Sequence, residues 1–139
     1  MNAIEIEEAV SELFSQPFAP TEFPFAFLEA FGNKATTIKR LKSGETNKSD
    51  IGGVLQRNHI HLAVADEGET ASVLSALKAS PATAKAKAQF ILTTDGEQVE
   101  AEDLSTGETL ACAYADFPNH FGFFLALAGI STVKQIRDS

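Results

Sequence analysis

Residues 88–114 constrain the fold more than any other part of the chain. An apolar run, Phe90-Ile91-Leu92-Thr93-Thr94, leads into Asp95-Gly96 and a second β-prone run, Gln98-Val99-Glu100-Ala101-Glu102-Asp103. Ser105-Thr106-Gly107 then precedes a third run, Thr109-Leu110-Ala111-Cys112-Ala113-Tyr114. Asp-Gly between β-prone runs is a hairpin signal, because a type I′ turn needs positive φ at both central residues. The pattern predicts a three-strand antiparallel meander. Phe90-Ile91-Leu92 is apolar on both faces, so its strand is expected at the centre of a sheet covered on both sides.

The segments before and after supply the cover. Ile6, Val10, Leu13 and Phe14 recur at helical spacing and predict a helix over 3–15 capped by Asn2. A second helix is expected over 22–31, with Thr21 as cap, Pro24 in the first turn and Gly32 at the end. A third is expected over 34–42, capped by Asn33 and stopped by Gly44. Two short strands follow, around 54–55 and 60–65, then a helix over 69–79 and a short helix-prone piece over 82–87. After the meander, Asp116 is the candidate cap of an apolar helix over 118–128 ended by Gly129. Residues 131–137 begin another helical pattern, as a domain cut from a longer polypeptide would. The fold class is α+β: a mixed or antiparallel sheet flanked by helices, in a single domain over 1–139. Its parts are a helical 1–48, a sheet core with helices over 49–130, and the start of a truncated helix over 131–139.

A chain of 139 residues can bury roughly 70% of its unfolded surface and needs no staple of metal or disulfide. The single cysteine, Cys112, excludes an intramolecular disulfide and points to a reducing, cytoplasmic setting. No apolar run approaches the length of a membrane span, and the acidic start has no signal-peptide layout. The net charge of −8 conceals strong segregation. Residues 1–33 carry six acids and no Lys or Arg, residues 34–87 carry nine of the eleven basic side chains, and residues 88–133 carry seven acids and no basic residue. If the fold gathers the basic middle on one face, a polyanion can bind there despite the acidic total.

The densest basic stretch is Lys34, Lys39, Arg40 and Lys42, continued by Lys48 and Arg57. Phosphate contact is the functional reading of these six, and a solvated helix face is the alternative. His59 and His61 stand two apart on a predicted strand, so both would share a face and could hold a metal with a third ligand from Asp50, Asp66 or His120. The same spacing also fits a solvated strand face. Glu100 and Glu102 are expected outward on their strand, in solvent. Cys112, between Leu110 and Tyr114, reads as a small core or edge residue rather than a nucleophile. Ser43-Gly44-Glu45-Thr46-Asn47-Lys48-Ser49 lacks the glycine before lysine that a phosphate loop requires, and no Gly-x-Gly-x-x-Gly or Gly-x-Ser-x-Gly occurs.

The run Phe23-Pro24-Phe25-Ala26-Phe27-Leu28-Glu29-Ala30-Phe31-Gly32-Asn33-Lys34-Ala35-Thr36-Thr37-Ile38-Lys39-Arg40-Leu41 resembles the start of large bacterial DNA methyltransferases of the single-chain restriction–modification, MmeI-like type. Phe90–Gly96, Glu102-Asp103-Leu104, Gly107-Glu108, Phe117-Pro118, Phe121, Phe124-Leu125 and Gly129 resemble the second half of the same N-terminal domain. The resemblance implies a restriction-endonuclease-like core, in which an Asp and a following Glu-x-Lys bind Mg²⁺ and activate water. Asp50 would stand for the first acid, while His61 and Ala63 stand where Glu and Lys belong; no Glu-x-Lys or Asp-x-Lys occurs anywhere. The catalytic set is thus degenerate, with Asp50 and His61 as its remnants. An Asn-Pro-Pro-aromatic run and a glycine-rich cofactor loop are also absent. S-adenosylmethionine is therefore implied for a parent protein and its downstream methylase domain, with no cofactor in this segment and double-stranded DNA as the partner. The resulting expectation is a non-catalytic, nuclease-like module of a DNA methyltransferase that assists DNA binding or domain assembly. Two alternatives are a divergent metal-dependent nuclease using Asp50, His59 and His61, and a protein-interaction module docking through its acidic ends.

Overall fold

The computed structural model describes residues 2–130. Helix α1 (Ala3–Ser15) opens on a capping box: Glu5 N donates to Asn2 Oδ1 (2.9 Å) and Asn2 N donates to Glu5 Oε1 (3.0 Å). Ile6, Val10 and Phe14 form its buried face. Helix α2 (Phe23–Ala30) carries Pro24 in its first turn, but Glu22 rather than Thr21 is the cap, and no side chain closes that end. Helix α3 (Ala35–Ser43) is capped by Lys34 and ends on Gly44 at φ 87°. Asn33 serves elsewhere. Its amide donates to Leu28 O (3.3 Å) at the end of α2 and accepts from Gln56 Nε2 (2.8 Å).

Five strands form one mixed sheet in chain order: β1 (Val54–Gln56), β2 (Ile60–Val64), β3 (Phe90–Thr94), β4 (Gln98–Asp103) and β5 (Glu108–Ala113). The β3–β4–β5 meander is antiparallel throughout, as is the β1–β2 hairpin. β2 and β3 run parallel, with Ile60 opposite Phe90 and Val64 opposite Thr94. A parallel pair needs a crossover, and α4 (Thr70–Ala79) with α5 (Pro81–Lys85) provides it. The β3–β4 turn is not the expected two-residue type I′. Three residues, 95–97, connect the strands, and of these only Gly96 has positive φ. The Asp95 carboxylate takes the hydrogen bonds instead, accepting from Glu97 N (2.9 Å), Gln98 N (2.8 Å) and Gly68 N (2.9 Å). These bonds hold its carboxyl below the usual range despite the opposing effect of desolvation.

Both sheet faces are covered. Ile60, Leu62, Phe90, Leu92, Val99 and Ala101 face α1, α2, α3 and a 3-10 segment, Tyr114–Ala128, across the larger core. Ala63 and Ile91 meet Leu77 of α4, and Leu55 meets Ala86 and Ala88 at α5. His61 was expected on a strand face that is solvated or holds a metal; the crossover helices bury that face instead. The same layer alters the expectation for β4. Glu100 accepts from Thr70 Oγ1 (2.6 Å), and Glu102, with its side chain 11% exposed, pairs with Lys78 Nζ at 3.1 Å.

The larger core is mainly aromatic. Phe14 stacks on Phe117 with centroids 4.5 Å apart, and Phe124 meets Phe27 edge-on at 5.5 Å and Phe90 at 5.0 Å. Burial there pushes the Tyr114 phenol up to about 12. The final apolar element was expected to be an α-helix over 118–128. It is 3-10, starts at Tyr114, and contains Pro118, which has no N–H to donate. Asp116 accepts from the side chains of Asn119 (2.7 Å) and His120 (3.1 Å) rather than acting as an N-terminal cap. Gly129 closes the element at φ 77°. The expected helix over 131–137 lies outside the described residues. No helix among the described residues is long and apolar enough to cross a membrane.

Phe124 touches five other phenylalanine rings and is fully buried. Truncation to alanine is expected to cost about 3–5 kcal/mol of folding stability. Urea denaturation measures it, and a loss well under 1 kcal/mol would contradict this packing.

Candidate functional site

Two groups of side chains correspond to the chemistry anticipated from the sequence. The first is a polar network beneath the β1–β2 hairpin. His61 on β2 points toward α5 and is 0% exposed. Its Nδ1 lies 2.8 Å from Thr83 Oγ1 and its Nε2 lies 2.7 Å from Ser49 Oγ. Thr83 already donates its one hydroxyl hydrogen to Leu77 O (2.7 Å), so it accepts from His61 Nδ1–H. In the neutral ring Nε2 then accepts from Ser49, whose oxygen in turn receives Gly53 N–H (3.0 Å) and Ile51 N–H (3.4 Å). Burial holds His61 below its ordinary value of 6.5, and the Asp50 charge opposes that shift.

Asp50 lies at the exposed edge of this network. It accepts from Ser80 Oγ at 2.6 Å, and that bond holds its carboxyl below the usual range. Asp50 lies near enough to His61 for its charge to act on the imidazole. Yet both ring nitrogens of His61 have hydroxyl partners, and Ala63 brings no donor or acceptor. The donor set does not fit a hydrolytic divalent cation. His59 does not share the face of His61. It precedes β2, in the turn after β1, and lines a different cavity. No group of three His, Cys, Asp or Glu side chains among the described residues is arranged to hold a metal ion.

The second group is basic. A cavity of about 280 Å³ between α3 and the β1–β2 hairpin is lined by Arg40, Lys48, Arg57 and His59, together with Thr37, Thr46 and Gln56. Lys48 and Arg57 also line a neighbouring cavity of about 310 Å³, where Lys85 joins them. Of the six cations picked out in the sequence, three thus converge. Lys42 turns toward α2, pairing with Glu22 Oε1 (3.0 Å) and lying 5.4 Å from the Phe25 ring centroid. Lys34 caps α3, and both Lys34 and Lys39 are exposed outside these cavities. Arg40 has an exposed partner, Glu45, at 3.6 Å, a contact too solvated to hold it tightly. Lys85 was not singled out in the sequence, because it lies far along the chain behind an acidic helix start. Its only local signal was the pair Lys85 and Lys87 flanking a helix end.

A family model described as "MmeI, N-terminal domain" matches residues 1–139. "DNA methyltransferase A" of Bacillus subtilis (strain 168) is 29% identical over 140 residues. That match covers 100% of this chain and 16% of the relative, so the chain spans about one-sixth of that protein's length. No solved structure matches.

The His61 network has a pH signature. The folded state resists protonating a histidine held below 6.5, whereas the unfolded chain takes up the proton near that value. The contribution is complete above about 6.5 and is lost as pH falls from there toward the lowered folded value. Thermal unfolding of the protein from pH 7.5 to 5 is expected to show a falling midpoint, and His61→Gln should flatten that slope. Equal slopes in both proteins would exclude His61 as its source.

Proposed function

Because the chain belongs to the MmeI N-terminal domain family, we propose that it is the nuclease-like but non-catalytic N-terminal module of a DNA methyltransferase, and that it helps hold duplex DNA. The observation that carries the DNA role is the convergence of Arg40, Lys48 and Arg57 on one cavity whose described lining includes no Asp or Glu, in a chain of net charge −8. Guanidinium and ammonium groups with the Thr37 and Thr46 hydroxyls beside them suit backbone phosphate, which positions a duplex without reading its sequence.

Support for a non-catalytic role comes from the hairpin. Asp50 precedes β1, and His61 and Ala63 sit on β2, the order in which a restriction-endonuclease-like core carries its acid and its Glu-x-Lys. Here those positions serve structure: Asp50 binds Ser80, His61 joins Ser49 to Thr83, and Ala63 packs on Leu77. Methyl transfer from S-adenosylmethionine is assigned to a downstream methylase domain of the parent protein, since the residues of this chain offer neither a glycine-rich cofactor loop nor an Asn-Pro-Pro-aromatic run.

Binding of the intact protein to a fluorescein-labelled duplex is expected to weaken steeply with salt. Arg40→Ala combined with Arg57→Ala should lower affinity and make the log–log salt slope shallower by about 0.9 per lost contact. Unchanged affinity and slope would remove this cavity from the DNA surface.

A further inference from the structure

We propose that the phosphate-binding surface continues past the β1–β2 hairpin onto α5 and the entrance to β3, where Lys85 and Lys87 form a second wall. This extension rests on the DNA-binding role above. Three cavities lie along this end of the sheet. Lys48 and Arg57 line both the first and the second, Lys85 lines the second, and the third, of about 450 Å³, is lined by Asn58 from the hairpin turn together with Lys87, Gln89 and Ser105. Among the described residues, no Asp or Glu lines any of the three. Lys48, Arg57, Lys85 and Lys87 make no ion pair with another described residue, whereas Lys42 and Lys78 elsewhere are both paired.

The backbone at Lys87 is a second observation. Helix α5 ends in a Schellman motif, with Ala88 N donating to Thr83 O (3.1 Å) and Lys87 N donating to Ala84 O (3.1 Å). Lys87 occupies the left-handed position of that motif at φ 56°. Glycine or asparagine adopts this conformation with less strain, so the lysine sits there against backbone preference. Its side chain lines the third cavity.

The two walls are also tied together. Ser49, next to Lys48, and Thr83, two residues before Lys85, bind opposite nitrogens of His61. Asp50 bonds to Ser80 just ahead of α5. The lysines are thus mounted on backbone whose separation is fixed before any polyanion arrives, which spares ordering entropy on binding. Asn58, Gln89 and Ser105 add neutral hydrogen-bonding groups of the kind that contact phosphate and sugar.

The test uses the intact protein, the labelled duplex and a salt titration, comparing Lys85→Gln with Lys87→Asn against Arg40→Ala with Arg57→Ala. The expected result is weaker binding by both pairs, with the Lys85/Lys87 pair making the salt slope shallower by about 0.9 for each lysine in contact. Lys87→Gly relieves the backbone strain, so this variant should fold at least as stably as the parent yet bind less tightly. Full affinity and slope in the Lys85/Lys87 pair, with loss confined to the arginine pair, would overturn the second wall and leave the first. Absence of salt-dependent binding in the unaltered protein would overturn both.

Discussion

Parallel pairing of β2 with β3 is the constraint on which the rest of the architecture depends. Antiparallel neighbours can be joined by a short turn, but these two strands require the chain to travel back along the sheet. It does so through α4 and α5, and that path roofs one face. The other face already carries Ile60, Leu62, Phe90 and Leu92, so it needs a roof of its own. α1, α2, α3 and the 3-10 segment supply it. The central strands are buried on both sides, so polar side chains that point from them toward a helix depend on partners within the protein, and of these only the Thr93 hydroxyl on β3 lacks one among the described residues. His61 finds Ser49 and Thr83; Glu100 finds Thr70; Glu102 finds Lys78.

That constraint explains which features were legible in the sequence. The meander, the 3–15 helix with its Asn2 cap and both short strands of the hairpin follow from periodicity and capping chemistry, which are local. The face to which His61 and Glu102 point depends on the layer above them. A His-Leu-Ala-Val alternation looks the same whether that layer is water or α4. The turn at 95–97 escaped for a different reason. Asp-Gly favours a two-residue turn in isolation, but the Asp95 carboxylate gains three backbone N–H donors, including that of Gly68, in a three-residue one. The 3-10 geometry of 114–128 likewise depends on Pro118 and on a dense aromatic neighbourhood that apolar periodicity does not resolve. Family membership was readable from the Phe23–Leu41 and Phe90–Gly129 motifs. The basic cavity lining was only partly legible: Arg40, Lys48 and Arg57 belong to one basic stretch of sequence, whereas Lys85 and Lys87 lie near them only because α5 folds back beside the hairpin.

Net charge conceals the distribution of charge in this chain. The acids are concentrated on α1 and the meander, while the cavities at the hairpin end collect cations from three separate segments. Such separation lets an acidic protein keep a local positive potential. The hydroxyl-bound His61 fits the same division of labour. It carries no charge in the folded protein near neutrality, so it braces the cationic surface without contributing to it.

The stacking of Phe14 on Phe117 also bears on how the chain is made. The two rings come from opposite ends of the described sequence, and α1 buries its apolar face chiefly against the 3-10 segment and α2. During synthesis, α1, α2 and their phenylalanines leave the ribosome long before Phe117 and Phe124 exist to cover them. The N-terminal helices therefore spend that interval with an uncovered aromatic face, and only the last strand and the segment after it close the core. A chain interrupted between the β1–β2 hairpin and Phe124 carries the basic segments but lacks the rings that complete the core, and its uncovered aromatic face favours association over folding.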